Sequence, residues 1–425
     1  MRKSLLMALF GALLAAAAVA ATALAVGGPA PAAQAAQGGG GMPMGAGMRM
    51  GPDGRMEMVA QQAPAPAGGA AVRPGSGKVR TYYIAADEID WDYAPQRRNL
   101  ITGEPFGDTE SVFVKPGPDR IGSVYKKAVY REYTDGSFTT LKARPERWQH
   151  LGLLGPVIRA EVGDTIRVVF KNHASRPYSV HPHGVFYAKD SEGAPYNDGT
   201  SGADKADDAV APGDQHVYTW LVPERAGPGP ADGNSVMWMY HSHVDEASDV
   251  NSGLMGPIII NARGQSQPDG TPVGVDREFV ATFSVMDENM SHYIGDNIAR
   301  LDDGANVDPE DEEFHESNLM HSINGYVYGN GPGPAGSDQA LFRARKGERI
   351  RWYLMGMGTE VDLHTPHWHG NTVTVMGMRT DVASLLPASM VTADMTADDP
   401  GIWFFHCHVN DHFLAGMSTR YEIAS

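Results

Sequence analysis

The stretch His406-Cys407-His408-Val409-Asn410-Asp411-His412-Phe413-Leu414-Ala415-Gly416-Met417 holds the only cysteine of a 425-residue chain. It follows Gly401-Ile402-Trp403-Phe404-Phe405, an aromatic, β-favouring run that reads as a buried strand. Successive side chains of a strand point to opposite faces. Cys407 therefore faces one way, and His406 and His408 face the other. A thiolate, two imidazoles and a weak axial thioether make the ligand set of a blue-copper electron-transfer site. Cys407, His412 and Met417 supply three of those four ligands. His406 and His408 remain to bind metal on the opposite face, so a short covalent path joins two different sites.

A second cluster completes the first. In His364-Thr365-Pro366-His367-Trp368-His369-Gly370, His367 and His369 share a face, whereas His364 is sent the other way and supplies the missing imidazole for Cys407. Two more pairs lie upstream, in His181-Pro182-His183-Gly184 and His241-Ser242-His243. An isolated pair of strand histidines is ordinarily a core or surface feature. Four such motifs with one correctly spaced cysteine and methionine point to metal.

The four motifs, H-x-H-G, H-x-H, H-x-x-H-x-H-G and H-C-H-x-x-x-H-x-x-x-x-M, resemble those of the multicopper oxidases. Tyr82–Glu88, Trp91-Asp92-Tyr93, Leu154–Ile158, Gly253–Pro257, Asp287-Glu288-Asn289 and His321–Tyr326 look like ceruloplasmin and its relatives, and the length matches two-domain bacterial laccases. The resemblance covers roughly Val79 to the C-terminus. It implies an all-β fold of two cupredoxin-like Greek-key β-barrel or sandwich domains and an enzyme that uses O2 as acceptor. It also implies copper: type 1 at His364, Cys407, His412 and Met417, type 2 at His181 and His367, and type 3 at His183, His241, His243, His369, His406 and His408. Asp198, in Asn197-Asp198-Gly199, is a candidate proton relay and equally a turn residue. Each domain supplies half of the cluster ligands. By analogy with the six-domain ring of ceruloplasmin and with two-domain laccases, a homotrimer with clusters between chains is expected.

The rest of the chain fits that frame. A net charge of −17 at pH 7 argues against nucleic-acid binding. Arg2 and Lys3 precede a mostly apolar run from Leu5 to Val26, which reads as a cleavable secretory signal over residues 1–36 and a secreted or periplasmic protein without stable membrane insertion. A single cysteine outside a reducing cytosol leaves no disulfide framework. Residues 37–78 are a low-complexity linker containing Met42, Met44, Met48, Met50, Met56 and Met58, either a flexible tether or a collector of Cu(I). Domain 1 is expected over 79–263 and domain 2 over 264–425, as an internal repeat. In domain 1, Ser242 stands where domain 2 has Cys407. An acidic insertion, Asp308, Glu310, Asp311, Glu312 and Glu313, is a solvated loop or a cation-docking site.

Three activities compete. The first is oxidation of phenols, aromatic amines, Fe(II) or Cu(I) coupled to reduction of O2. The second is a copper nitrite reductase, which would carry its blue copper in the first domain. The third is a copper carrier, for which six type 3 ligands are superfluous.

Overall fold

The computed structural model describes Met48–Met50, Met56–Met58 and residues 77–301, 307–333 and 336–425. The expected signal lies outside the described residues, and so does nearly all of the linker. Met48–Met50 (β1) and Met56–Met58 (β2) pair antiparallel with each other. The chain divides at Ala67/Gly68, and everything below concerns the second unit.

Glycine turns set the frame. Gly163 (φ +101°) and Gly347 (φ +88°) adopt backbone that favours glycine. Each turn feeds an apolar strand. In chain order the strands of the first half are Val79–Asp92 (β3), Val124–Tyr133 (β4), Ile158–Glu161 (β5), Thr165–Asn172 (β6), His181–Pro182 (β7), Gln215–Leu221 (β8), Ser235–His241 (β9) and Met255–Asn261 (β10). Those of the second half are Arg277–Asp287 (β11), Leu319–Ile323 (β12), Phe342–Arg345 (β13), Arg349–Gly356 (β14), Pro366–Trp368 (β15), Val373–Val375 (β16), Met378–Thr380 (β17), Met390–Thr396 (β18), Gly401–Cys407 (β19) and Ser418–Ala424 (β20). Among the described residues no α-helix exceeds seven residues.

The sheets repeat. The first half has sheets ordered β4-β3-β6-β8 and β5-β10-β9-β7, and the second has β12-β11-β14-β18-β16-β17 and β13-β20-β19-β15. In each half one parallel pair lies in each sheet, β3 with β6 and β5 with β10, then β11 with β14 and β13 with β20. Parallel neighbours that are not consecutive require the chain to cross between sheets, the wiring of a Greek-key sandwich. The second half adds only β16 and β17 at one edge.

One core fills each sandwich: Ile84, Phe170, Trp220 and Ile258 belong to the first, and Phe279, Trp352, Phe405 and Cys407 to the second. A third apolar cluster, including Tyr93, Phe113, Met239, Met286, Tyr328 and Tyr353, draws on both halves. Beside it, Lys127 of β4 forms an ion pair with Glu288, which follows β11, and both side chains are fully buried. Lys127 also donates to Asn251 O (2.8 Å), and Tyr93 OH donates to the same Glu288 oxygen (2.5 Å). Burial pushes the Glu288 carboxyl up and the Lys127 ammonium down, while their pairing opposes both shifts.

Breaking a buried pair strands a charge, whereas replacing both partners with apolar groups can be neutral. Glu288→Leu should therefore lower unfolding stability by about 3–5 kcal/mol, and Lys127→Met/Glu288→Leu should recover most of it. Denaturant titration of both variants checks this. A double variant as unstable as the single one would show that the pair is not coupled in this way.

Candidate metal centres

The first centre forms where β19 ends. Cys407 is fully buried, with His364 at 1% and His412 at 6% exposure. Its Sγ lies 3.9 Å from His364 Nδ1 and 3.7 Å from His412 Nδ1, and those two nitrogens are 3.1 Å apart. His364 comes from the chain before β15, fixed by a bridge to Leu385, and His412 from the short helix Asn410–Leu414. Met417 is fully buried too. Its carbonyl accepts the Cys407 N–H at 3.1 Å, and its own N–H donates to His412 O at 2.9 Å.

The surroundings prepare both donor types. Asp362 Oδ1, 3.0 Å from His364 Nε2, orients the ring so that Nδ1 faces the Cys407 sulfur. The same oxygen accepts the Val285 amide at 2.7 Å, so the carboxylate is itself held. Burial alone would push the Cys407 thiol up. Hydrogen bonds from His364, His412 and the amides of Thr365 and Val409 outweigh burial and bring it down to about 6. A stabilised thiolate is the form that binds metal.

The other centres are two matching sets of imidazoles. His181 stands opposite His241 across β7 and β9, and His367 opposite His406 across β15 and β19. The hydrogen bonds match as well. His181 Nδ1 lies 2.6 Å from Glu192 O, and His367 Nδ1 lies 2.9 Å from Asp381 O. His241 Nδ1 meets Ser242 O at 3.0 Å, and His406 Nδ1 meets Cys407 O at 2.7 Å. Each carbonyl fixes the proton on Nδ1 and frees Nε2. Those nitrogens converge: His183 Nε2 is 3.1 Å from His241 Nε2, and His369 Nε2 is 3.2 Å from His406 Nε2. Burial, then neighbouring imidazoles, pushes His183 down to about 4. Burial likewise brings His241 and His406 to about 4. Neutral rings with lone pairs aimed together are donors for a cation. His243 and His408 flank the sets, their rings 5.4 Å from His241 and 5.5 Å from His406. Among the described residues, every ring contact within these eight histidines stays inside one half.

The motif glycines have a steric cause. A Cβ on Gly184 (φ +75°) would sit 2.2 Å from the Trp238 ring, and one on Gly370 (φ +72°) 2.5 Å from Trp403. Each tryptophan lies three residues before the facing histidine, so glycine lets the H-x-H turn close onto the partner strand.

Asp198 is placed differently from the relay reading. Its carboxylate takes the Thr200 amide (2.9 Å) and hydroxyl (2.7 Å) and pairs with Lys189 and Lys205, each at 3.0 Å. Those bonds, the Thr200 amide first, hold it well below the usual carboxylate range, which disfavours taking up a proton near neutrality. Among the described residues no hydrogen bond joins it to the histidines. Sequence reasoning missed Glu246, whose oxygens lie 3.4 Å from His243 Nε2 and 3.8 Å from His241 Nε2. Its position three residues after His243 was the available signal. His321 was also missed as a site residue: it is buried with its ring 5.5 Å from that of His412.

Soft thiolate with imidazole in one centre, and imidazole alone in the others, is a donor chemistry that fits copper. Comparison with known proteins agrees. Residues 150–265 and 308–425 each match a family model described as multicopper oxidase. Human ferroxidase HEPHL1 is 48% identical over 348 residues, which are 81% of this chain and 29% of that protein. Human ceruloplasmin is 43% identical over 355 residues, 82% of this chain and 32% of its own. The chain thus spans about a third of the length of these curated relatives. The solved structure of the multicopper oxidase mgLAC shares the fold, with a TM-score of 0.51 at 19% identity over 81% of this chain and 86% of that one. With the same family matched in both halves, and with a thiolate centre joined through one strand to an imidazole centre, the chain belongs to the multicopper oxidases.

Proposed function

We propose that the protein couples one-electron oxidation of Fe(II) to the four-electron reduction of O2 to water. The observation that carries this reading is Cys407: its thiolate lies in one centre, while its chain neighbours His406 and His408 face another. Copper, when bound, supplies one-electron chemistry at the first and oxygen reduction at the second. We assign type 1 to His364, Cys407, His412 and Met417, type 2 to His181 and His367, and type 3 to His183, His241, His243, His369, His406 and His408. Glu246 is the carboxylate best placed to hold a proton beside these histidines, and we give it the relay role in place of Asp198.

Ferrous ion is favoured over phenols by what surrounds His412. Asp411 precedes it, and His321 packs against it. Burial, opposed by His315 and reinforced by the Asp411 charge, leaves the Glu316 carboxyl raised. Carboxylates with an imidazole suit a ferrous ion, and the acidic residues 308–313 adjoin Glu316 in sequence. The name ferroxidase of the relative HEPHL1 points the same way. Ser242 in the first half speaks against nitrite reductase, and two sets of imidazoles speak against a copper carrier.

We further propose that each oxygen-reducing cluster joins the first half of one chain to the second half of another, in a homotrimer. The confinement of ring contacts to one half supports this, as does the exposure of His408.

Glu316→Gln/Asp411→Asn should lower kcat/KM for Fe(II) at least tenfold, about 1.4 kcal/mol, and leave that for 2,6-dimethoxyphenol nearly unchanged. An equal fall for both substrates would refute the ferrous site.

The interchain cluster predicts complementation. His181→Ala/His183→Ala and His406→Ala/His408→Ala should each be inactive as pure proteins. Refolded together with copper, they should regain part of the oxygen consumption. Mixed trimers, verified by mass spectrometry, that stay inactive would refute the arrangement.

A further inference from the structure

The first half keeps the frame of the thiolate centre without the thiolate. Pairing of His241 with Met255 corresponds to pairing of His406 with Ser418. The Ser242 N–H donates to Leu254 O at 3.1 Å, as that of Cys407 does to Met417 O. The Ser179 amide donates to Ser242 Oγ at 3.1 Å, as the Thr365 amide does to Cys407 Sγ at 3.4 Å. Tyr178, bridged to Val210, takes the place of His364, bridged to Leu385. Ser242, Leu254 and Tyr178 thus replace Cys407, Met417 and His364, and the thiolate, thioether and imidazole of a blue-copper site are all missing.

What fills the middle of this frame is a carboxylate. Asp249, on the helix Glu246–Ser252, is 1% exposed. Its Oδ2 accepts from Ser242 Oγ (2.6 Å), the Val244 amide (3.0 Å) and the Asp245 amide (3.1 Å). Its Oδ1 lies 3.0 Å from His292 Nε2, and the His292 amide donates to Ser252 Oγ at 3.1 Å. His292 belongs to the second half. The same segment is held from the other side, because the His243 amide donates to Ser179 Oγ at 3.0 Å. The bonds to Ser242, to the His243 amide and to the Val244 amide fall on, or next to, the segment that carries His241 and His243.

We propose that Asp249, braced by His292, stands in the first half where the second half has its thiolate metal centre, and that it positions His241 and His243 to bind copper. The strand carrying Cys407 gains its anchor through the metal ligands. On the Ser242 face there is no such ligand set, and a buried carboxylate with four donors does that work instead. Asp249 touches no metal in this scheme, so it is a positioning residue. The proposal rests on the copper assignment above.

The test uses the copper-loaded full chain and reads the two kinds of centre separately, by the blue thiolate absorption and type 1 potential on one side and by the near-ultraviolet type 3 band and copper content on the other. Asp249→Ala should weaken copper binding at the histidine centre roughly 10- to 100-fold, with loss of the type 3 band and an unchanged blue band and potential. Asp249→Asn, which keeps an acceptor for the two amides, should recover part of the type 3 band. His292→Gln, a milder change in case Asp249→Ala does not fold, should move it in the same direction. Blue and near-ultraviolet bands falling together in soluble protein, or copper affinity at the histidine centre unchanged in Asp249→Asn and His292→Gln, would overturn the brace. Wild-type protein lacking both bands would overturn the copper assignment itself.

Discussion

The register between β15 and β19 is the constraint on which the rest depends. It sets Pro366 against Cys407, His367 against His406 and Trp368 against Phe405. Side chains alternate between faces, so a slip of one residue would turn Cys407 outward and drive two imidazoles into the core. Aromatic packing forbids that slip. The Phe405 ring lies 5.1 Å from that of Trp368 and 5.0 Å from that of Trp352, and all three are fully buried. The thiolate is therefore placed by hydrophobic packing two residues away, and the histidines on either side inherit their direction from it.

Much of this was legible because the period of a strand is two. Histidines two apart share a face whatever the rest of the chain does, and so H-x-H reads as a pair on one face, with Cys407 turned away between His406 and His408. His412 and Met417 lie beyond the strand, and their reading rested on the donor set of a blue-copper site rather than on the strand period. The repeat was legible from Gly163 and Gly347, each opening a strand ahead of an H-x-H-G motif. What escaped were contacts that no short spacing announces. His292 reaches Asp249 across 43 residues and Lys127 reaches Glu288 across 161. Asp198 reads equally as a relay and as a turn residue because only its closeness to the first motif and its Asp-Gly step are visible; its two lysine partners come from either side of it in a folded loop. Glu246 was passed over because three residues after a strand histidine has no fixed direction once the strand has ended.

The two halves also show why a repeated fold need not repeat its chemistry. Both retain the backbone partners that surround the residue between the paired histidines: a donating amide from the H-x-H-G side and an accepting carbonyl just ahead of the following strand. That backbone frame is indifferent to whether the residue carries sulfur or oxygen. The difference lies in what the side chain meets. Cys407 meets two imidazole nitrogens in a sealed apolar pocket, and Ser242 meets a carboxylate. A thiolate placed against Asp249 would confront a like charge, and a serine placed against His364 and His412 would offer a weak donor with no charge.

That exchange has a consequence for the neighbouring histidines. In each half two of the four histidines, His181 and His241 in the first and His367 and His406 in the second, have Nδ1 tied to backbone carbonyls, which fixes their rings and leaves Nε2 free to meet a metal. The apolar cluster shared between the halves and the buried Lys127–Glu288 pair hold the two sandwiches of one chain together. A set of imidazoles confined to its own half and partly open to solvent is then best completed by a matching set from another molecule, because moving the sandwiches within one chain would expose that shared core and strand a buried charge. If the proposed interchain cluster is right, the packing that fixes each half-site is also what leaves that site to be completed by another chain.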